Sequence, residues 1–198
     1  DYYINYAGGT GNDVVLSRIC GDVCAPTINY PANITLSTQT QVNNFKNGSG
    51  CKYTKITGNL ILDGNGNAAT GGDAAGTDPI TDLCNLQELV EVTGSVTIRD
   101  FSVAGNPTTL ADLASLMTIG NALTIGATAA NDGNSQFSDI TLGGLASVEG
   151  AITIRYNSAA ATISLPALSS SSVASVTIQN NDAATSITCG NGFTVDGT

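Results

Sequence analysis

Few side chains in this chain are equipped for chemistry. Its 198 residues include no histidine, which excludes Ser-His and Cys-His couples and any histidine-held metal. What remains is carboxylate chemistry. A stacked β-coil can bring acids of successive turns within about 5 to 10 Å, the separation used in glycoside hydrolysis, yet the acids of this chain share no common offset. Asp63, Asp100 and Asp182 each follow an apolar strand by one or two residues, as does Tyr156 after Ile154-Arg155. Short acids in such places bond to nearby backbone amides and shape turns, and that is the role expected of them.

The segment Asp63-Gly64-Asn65-Gly66-Asn67 alternates oxygen-bearing side chains with glycine, and Asp73 and Asp78 follow. Asp63, Asn65, Asn67 and Asp73 are therefore the candidate calcium ligands, and calcium is the one cofactor to consider. An EF-hand loop requires Gly in sixth place and Glu in twelfth, whereas Ala68 and Ala74 stand there. A Gly/Asn-rich insertion without metal is the competing reading.

The elements that position these residues come from a repeat. Val96-Thr97-Ile98, Leu123-Thr124-Ile125, Ile152-Thr153-Ile154 and Val176-Thr177-Ile178 are variants of one phrase, each preceded by a small turn. Period-2 alternation sends the aliphatic residues into a core and the threonine outward. Lys55-Ile56-Thr57-Gly58-Asn59-Leu60-Ile61-Leu62 is an earlier copy. A second apolar beat precedes each strand, as Ile80 to Leu86, Leu110 to Leu116, Ile140 to Leu145 and Ile163 to Leu168. The steps from Gly94 to Gly120 to Gly150 are 26 and 30 residues, and from Ala151 to Ser175 the step is 24. Periods of this size signal a solenoid, in which one coil cannot bury its apolar face without a neighbour.

Stacking then lines up an exposed sheet face of Thr97, Thr124, Thr153 and Thr177, with Arg99, Gly126, Arg155 and Gln179 in the next outward column. Threonines about 4.7 Å apart resemble an ice-binding array in kind, but the arginines break the uncharged regularity that ice requires. β-Propensity alone accounts for threonine on a pleated surface. Arg99 and Arg155 are expected either to meet a ligand carboxylate or to pair with Asp100 or Glu149.

Charged residues make up 11% of the chain and aromatics 5%, with 23 glycines and a formal net charge of −10. That composition is β-rich and turn-rich. The six basic residues form no run, which argues against a nucleic-acid partner. No stretch of 18 apolar residues occurs, so no membrane span is expected. The chain starts at Asp1 and reads as a processed product or a segment of something longer.

Cys20, Cys24, Cys51, Cys84 and Cys189 are odd in number, so at least one is free or pairs elsewhere. Cys84 sits on an apolar beat and is expected as a buried thiol. Without a Cys-x-x-Cys pair or histidine, zinc is not expected. Asn33-Ile34-Thr35 and Asn47-Gly48-Ser49 are glycosylation sequons.

Tyr2 to Tyr6 and Val14 to Leu16 flank a Gly/Asn turn, a hairpin signal, and this stretch resembles closing strands of β-rich repeats in large bacterial surface proteins. From Cys24 onward come a short strand at Ile34, a Thr38-Gln39-led helical turn ending in Phe45, Cys51, and the strand Ile56-Thr57-Gly58-Asn59-Leu60. With the Ile-x-x-Leu-x-x-Leu beats and Ile-x-Gly-x-Leu-x-Ile strands that follow, this resembles the receptor L domain, a leucine-rich-repeat-like solenoid found in growth-factor receptors and in secreted or surface proteins of Bacteroidetes-like bacteria. The resemblance covers roughly residues 20 to 190, and departs at the insertion from Asp63 to Pro79 and in the Ala/Ser-rich last coils.

The resemblance implies a mainly β, right-handed parallel β-solenoid with short helical corners and an N-terminal cap closed by a Cys24–Cys51 disulfide. It divides the chain into terminal strands of a preceding module or linker (1–19) and a solenoid (20–198, cap 20–55, coils 56–198). A non-enzymatic, extracellular structural or recognition module of a large bacterial surface adhesin or appendage follows as the expected function. Its partners would be other modules or subunits of the assembly, copies of itself, or a protein or glycan on another cell. A β-helix polysaccharide lyase or hydrolase, and ice or surface binding through the threonine column, are the alternatives.

Overall fold

The computed structural model describes residues 2–8, 13–18, 27–66, 76–126 and 133–193. At the start of the chain β1 (Tyr2–Gly8) pairs antiparallel with β2 (Asp13–Arg18), the hairpin that the Gly/Asn turn signals. Everything after it that pairs in sheets does so in parallel.

The repeated phrase forms the largest sheet. Strands β4 (Ile34–Leu36), β6 (Leu60–Asp63), β8 (Val96–Arg99), β10 (Leu123–Gly126), β13 (Ala151–Arg155) and β15 (Ser175–Gln179) stack in sequence order, one per coil. Leu60, Val96, Leu123 and Ile152 lie in one register line, as do Leu62, Ile98, Ile125 and Ile154, and all eight are fully buried. Each such side chain contributes about 1.5 to 3 kcal/mol by leaving water. The result is a mainly β solenoid of about six turns with few helices.

The small turns leading each strand prove to be strands themselves. β3 (Asn29–Tyr30), β5 (Lys55–Ile56), β7 (Glu91–Val92), β9 (Thr118–Ile119) and β12 (Ser147–Val148) form a second parallel sheet of five. Two residues per strand are too few to display a period, so sequence reading takes them for turns. The chain bends from this sheet into the six-stranded one at glycines where the coils nearly touch. A Cβ on Gly120 would lie 2.3 Å from the Thr93 carbonyl oxygen, and one on Gly94 2.6 Å from that of Gly58.

The third side changes character along the stack. The early apolar beats close as 3₁₀ turns, Cys84–Leu86 and Ala111–Leu113, in keeping with the expected helical corners. The later beats do not. β11 (Asp139–Thr141), β14 (Thr162–Leu165) and β16 (Ser186–Cys189) make a third parallel sheet, with β-branched Ile140, Ile163 and Ile187 in line.

At the N-terminal end of the stack α1 (Gln39–Asn43) begins with a capping box. Thr38 Oγ1 accepts from the Gln41 amide at 3.1 Å, and Gln41 Oε1 accepts from the Thr38 amide at 3.2 Å. Tyr30, Phe45 and Tyr53 pack ring against ring with centroids 4.9 to 5.5 Å apart and cover the core there. Asp78 Oδ2 accepts from the Thr40 amide at 3.0 Å, and these hydrogen bonds hold its carboxyl below the usual range. A depressed carboxyl stabilises above its unfolded pKa, about 3.9, and that stabilisation is lost as pH falls through the folded value. Asp78→Asn is accordingly expected to flatten the wild-type loss of thermal stability below about pH 4, measured by calorimetry across pH.

Cys51 and Cys84 are both disulfide-bonded, and Cys189 carries a free thiol. This corrects the expectation of a free thiol at Cys84: its place on the apolar beat buries the sulfur without leaving it reduced. The expected pairing of Cys24 with Cys51 involves a residue outside those described. Burial raises the pKa of Cys189, which makes it a poor nucleophile.

Candidate functional site

The parallel register that buries the aliphatic residues also builds the exposed face. Thr97, Thr124, Thr153 and Thr177 are directly paired from strand to strand, so their spacing is the strand spacing of about 4.8 Å. Thr97, Thr124 and Thr153 are half-buried and Thr177 is exposed. Ile61 and Thr35 continue the rank toward the cap. In the neighbouring column Gly126, Arg155 and Gln179 are paired in turn, as are Asp63 and Arg99.

The two arginines differ in what holds them. Arg99 donates from Nε and from one terminal nitrogen to Asp63 Oδ2, both at 3.1 Å, and its Nε lies 3.8 Å from Asp100 Oδ2. Both acids are about 2% exposed, and Arg99 is half-buried. Asp63 and Asp100 thus serve a partly buried charge cluster as well as the turn, and Arg99 reaches across a coil to Asp63, a partner sequence reading did not name. Arg155 has no ion pair among the described residues, and its buried Nε has no hydrogen-bond partner. It is the cation this face can offer outward.

Of the calcium candidates, Asp63 gives Oδ2 to Arg99 and Asn65 is buried, while Asn67 and Asp73 lie outside the described residues. Asp78 is spent on α1. Among the described residues no cluster of three acidic, cysteine or histidine side chains could hold a metal.

Beneath the end of the face runs a feature that sequence reading missed. Asn134, Asn157 and Asn181 stack from coil to coil, the first two fully buried. Asn134 Nδ2 donates to Asn157 Oδ1 at 2.9 Å, and Asn157 Nδ2 donates to Asn181 Oδ1 at 2.9 Å. The same amides reach the carbonyl oxygens of Ile98, Ile125 and Ile154 at 3.0 to 3.2 Å. Each asparagine thereby satisfies a strand-end carbonyl that the bend would otherwise orphan. The signal was present as Ile154-x-x-Asn157 and Ile178-x-x-Asn181, but the longer coil of β10 displaces Asn134 from that spacing.

Where the strands turn onto this ladder, Asp100, Tyr156 and Asn180 adopt the left-handed conformation, with φ of 58°, 57° and 55°. Asp and Asn tolerate it, while a bulky side chain there is an outlier. Beside Tyr156 a cleft of about 320 Å³ opens, lined by Ser102, Ser135, Ser158, Asn180 and Asp182.

No protein-family model matches the chain, and no curated protein matches it either. None of the helices among the described residues is long and apolar enough to cross a membrane.

Proposed function

We propose that this chain is a non-enzymatic recognition module of an extracellular surface protein, presenting its six-stranded face to a partner. The observation that carries this reading is the unbroken register of Thr97, Thr124, Thr153 and Thr177, flanked by Arg155, which has no acidic partner among the described residues. A row of short hydroxyls on hydrogen-bonded strands is rigid, costs little side-chain entropy when covered, and needs no movement to bind. Arg155 then selects partners with a carboxylate or similar acceptor.

The resemblance to the receptor L domain accords with this reading through the capping box at Thr38, the aromatic cover over the first coil and the coil-by-coil phrase. We take the coil as right-handed, the sense to which parallel crossovers are held, and place the protein at a bacterial cell surface as part of a larger adhesin or appendage. Display on one face predicts a single copy in solution. Light scattering after size exclusion of the full chain is expected to return the monomer mass, with or without calcium. Ligand-free assembly would replace recognition by a structural subunit role.

A further inference from the structure

We infer that the cleft beside Tyr156 is a binding site for a neutral saccharide, a ligand class that rests on the recognition reading but occupies a place distinct from the threonine rank. Its position follows from the turns. Ser102 comes from the bend after β8, Tyr156 and Ser158 from the bend after β13, Asn180 and Asp182 from the bend after β15, and Ser135 from the returning segment. Four coils therefore converge on one concavity of about 320 Å³, at the small end of ligand sites, which run from about 300 to 1,000 Å³.

Tyr156 is the reason to read this concavity as more than a gap. At the equivalent turns after β8 and β15 stand Asp100 and Asn180, residues suited to positive φ. A bulky aromatic residue in that conformation is strained, and such strain persists where the surrounding structure over-determines it, often at binding sites. Here it is held on both sides. The Tyr156 amide donates to the Asn180 carbonyl oxygen at 3.0 Å, and the Asn134 amide donates to the Tyr156 carbonyl oxygen at 3.1 Å. Gly133 passes so close that a Cβ there would lie 2.9 Å from Tyr156 Cβ. The asparagine ladder thus fixes the base of a ring that remains half-exposed at the cleft.

The remaining wall selects the ligand. Three serine hydroxyls and the Asn180 amide both donate and accept, the Asp182 carboxylate accepts only, and no cation lines the cleft among the described residues. Among the described residues an anionic ligand would face a carboxylate with no cation beside it, and a metal ion would find a single charged oxygen donor group. A pyranose fits both demands. Its C–H face covers an aromatic ring, and its hydroxyls donate to Asp182 while exchanging hydrogen bonds with the serines.

The test is a printed array of neutral and acidic oligosaccharides probed with the full chain, followed by calorimetric titration of the strongest neutral hit. Tyr156→Asn copies the residue of the next coil and is expected to keep or raise the thermal midpoint while weakening saccharide binding by about tenfold or more. Asp182→Asn, an exposed change outside the ladder, is expected to weaken the same binding severalfold, and it decides the matter should Tyr156→Asn fail to fold. Wild-type binding to no saccharide, or to acidic ones alone, overturns the inference. Neutral-saccharide binding that survives both substitutions overturns the cleft while leaving recognition by the sheet face intact.

Discussion

Replacing Asn157 with alanine is expected to destabilise the protein by about 4 kcal/mol and to lower its thermal midpoint by about 10 °C. Asn157 is fully buried between two coils. Its amide nitrogen lies within hydrogen-bond distance of the carbonyl oxygens of Ile125 and Arg155 and of Asn181 Oδ1, and its own Oδ1 accepts from Asn134. Truncation removes the hub and leaves several of these groups buried without partners, at about 1 to 3 kcal/mol each. Asn181, half-buried at the far end of the ladder, has water to replace it, so Asn181→Ala is expected to cost about 1 kcal/mol. Equilibrium urea unfolding of the two variants reads the difference, and a loss of no more than about 1 kcal/mol in both would show that the ladder is incidental to stability.

Gly126→Ala is expected to be at least as damaging, about 4 kcal/mol or more. Gly126 has φ of +96°, and a Cβ there would lie 1.7 Å from the Arg155 carbonyl oxygen. The strained conformation alone costs about 1 to 3 kcal/mol. The overlap adds more, because backbone blocks the way and can yield only if β10 and β13 part. Hydrogen exchange is expected to accelerate at the amides of β13 and β15 before those of β6 and β8, since each coil rests on its neighbours. Uniform exchange with unchanged stability would contradict the close packing of these coils.

How much of this was readable from the residues depended on strand length and on register. The phrase at Val96, Leu123, Ile152 and Val176 is long enough to alternate, so its strands, their buried sides and the threonine rank were legible in advance. So was the helical turn led by Thr38 and Gln39, which forms α1 behind a capping box. The five-stranded sheet was not legible, since pairs such as Glu91–Val92 show no period and lie beside glycine. The Asp63 to Arg99 pair spans 36 positions and appears only when the coil register is known. Asn134 escaped for a related reason: the coil of β10 inserts residues between its strand and its ladder position. A turn at Tyr156 follows from its place just after the strand, but its left-handed φ had no signal, because tyrosine is not a residue that announces positive φ.

The claim at the centre of this account is that the six-stranded face does the protein's work by contact. Thr124→Arg/Thr177→Arg places two bulky charges on that face two coils apart, with Thr153 between them, at outward positions where stability should change by no more than about 1 kcal/mol. The direct measurement is retention under flow of beads coated with wild type or with this variant, over lawns of bacterial and epithelial cells. The account predicts that wild-type beads hold to at least one lawn and that the variant washes off while keeping its thermal midpoint. Equal retention of the two, or no retention of wild type on any lawn, would contradict it.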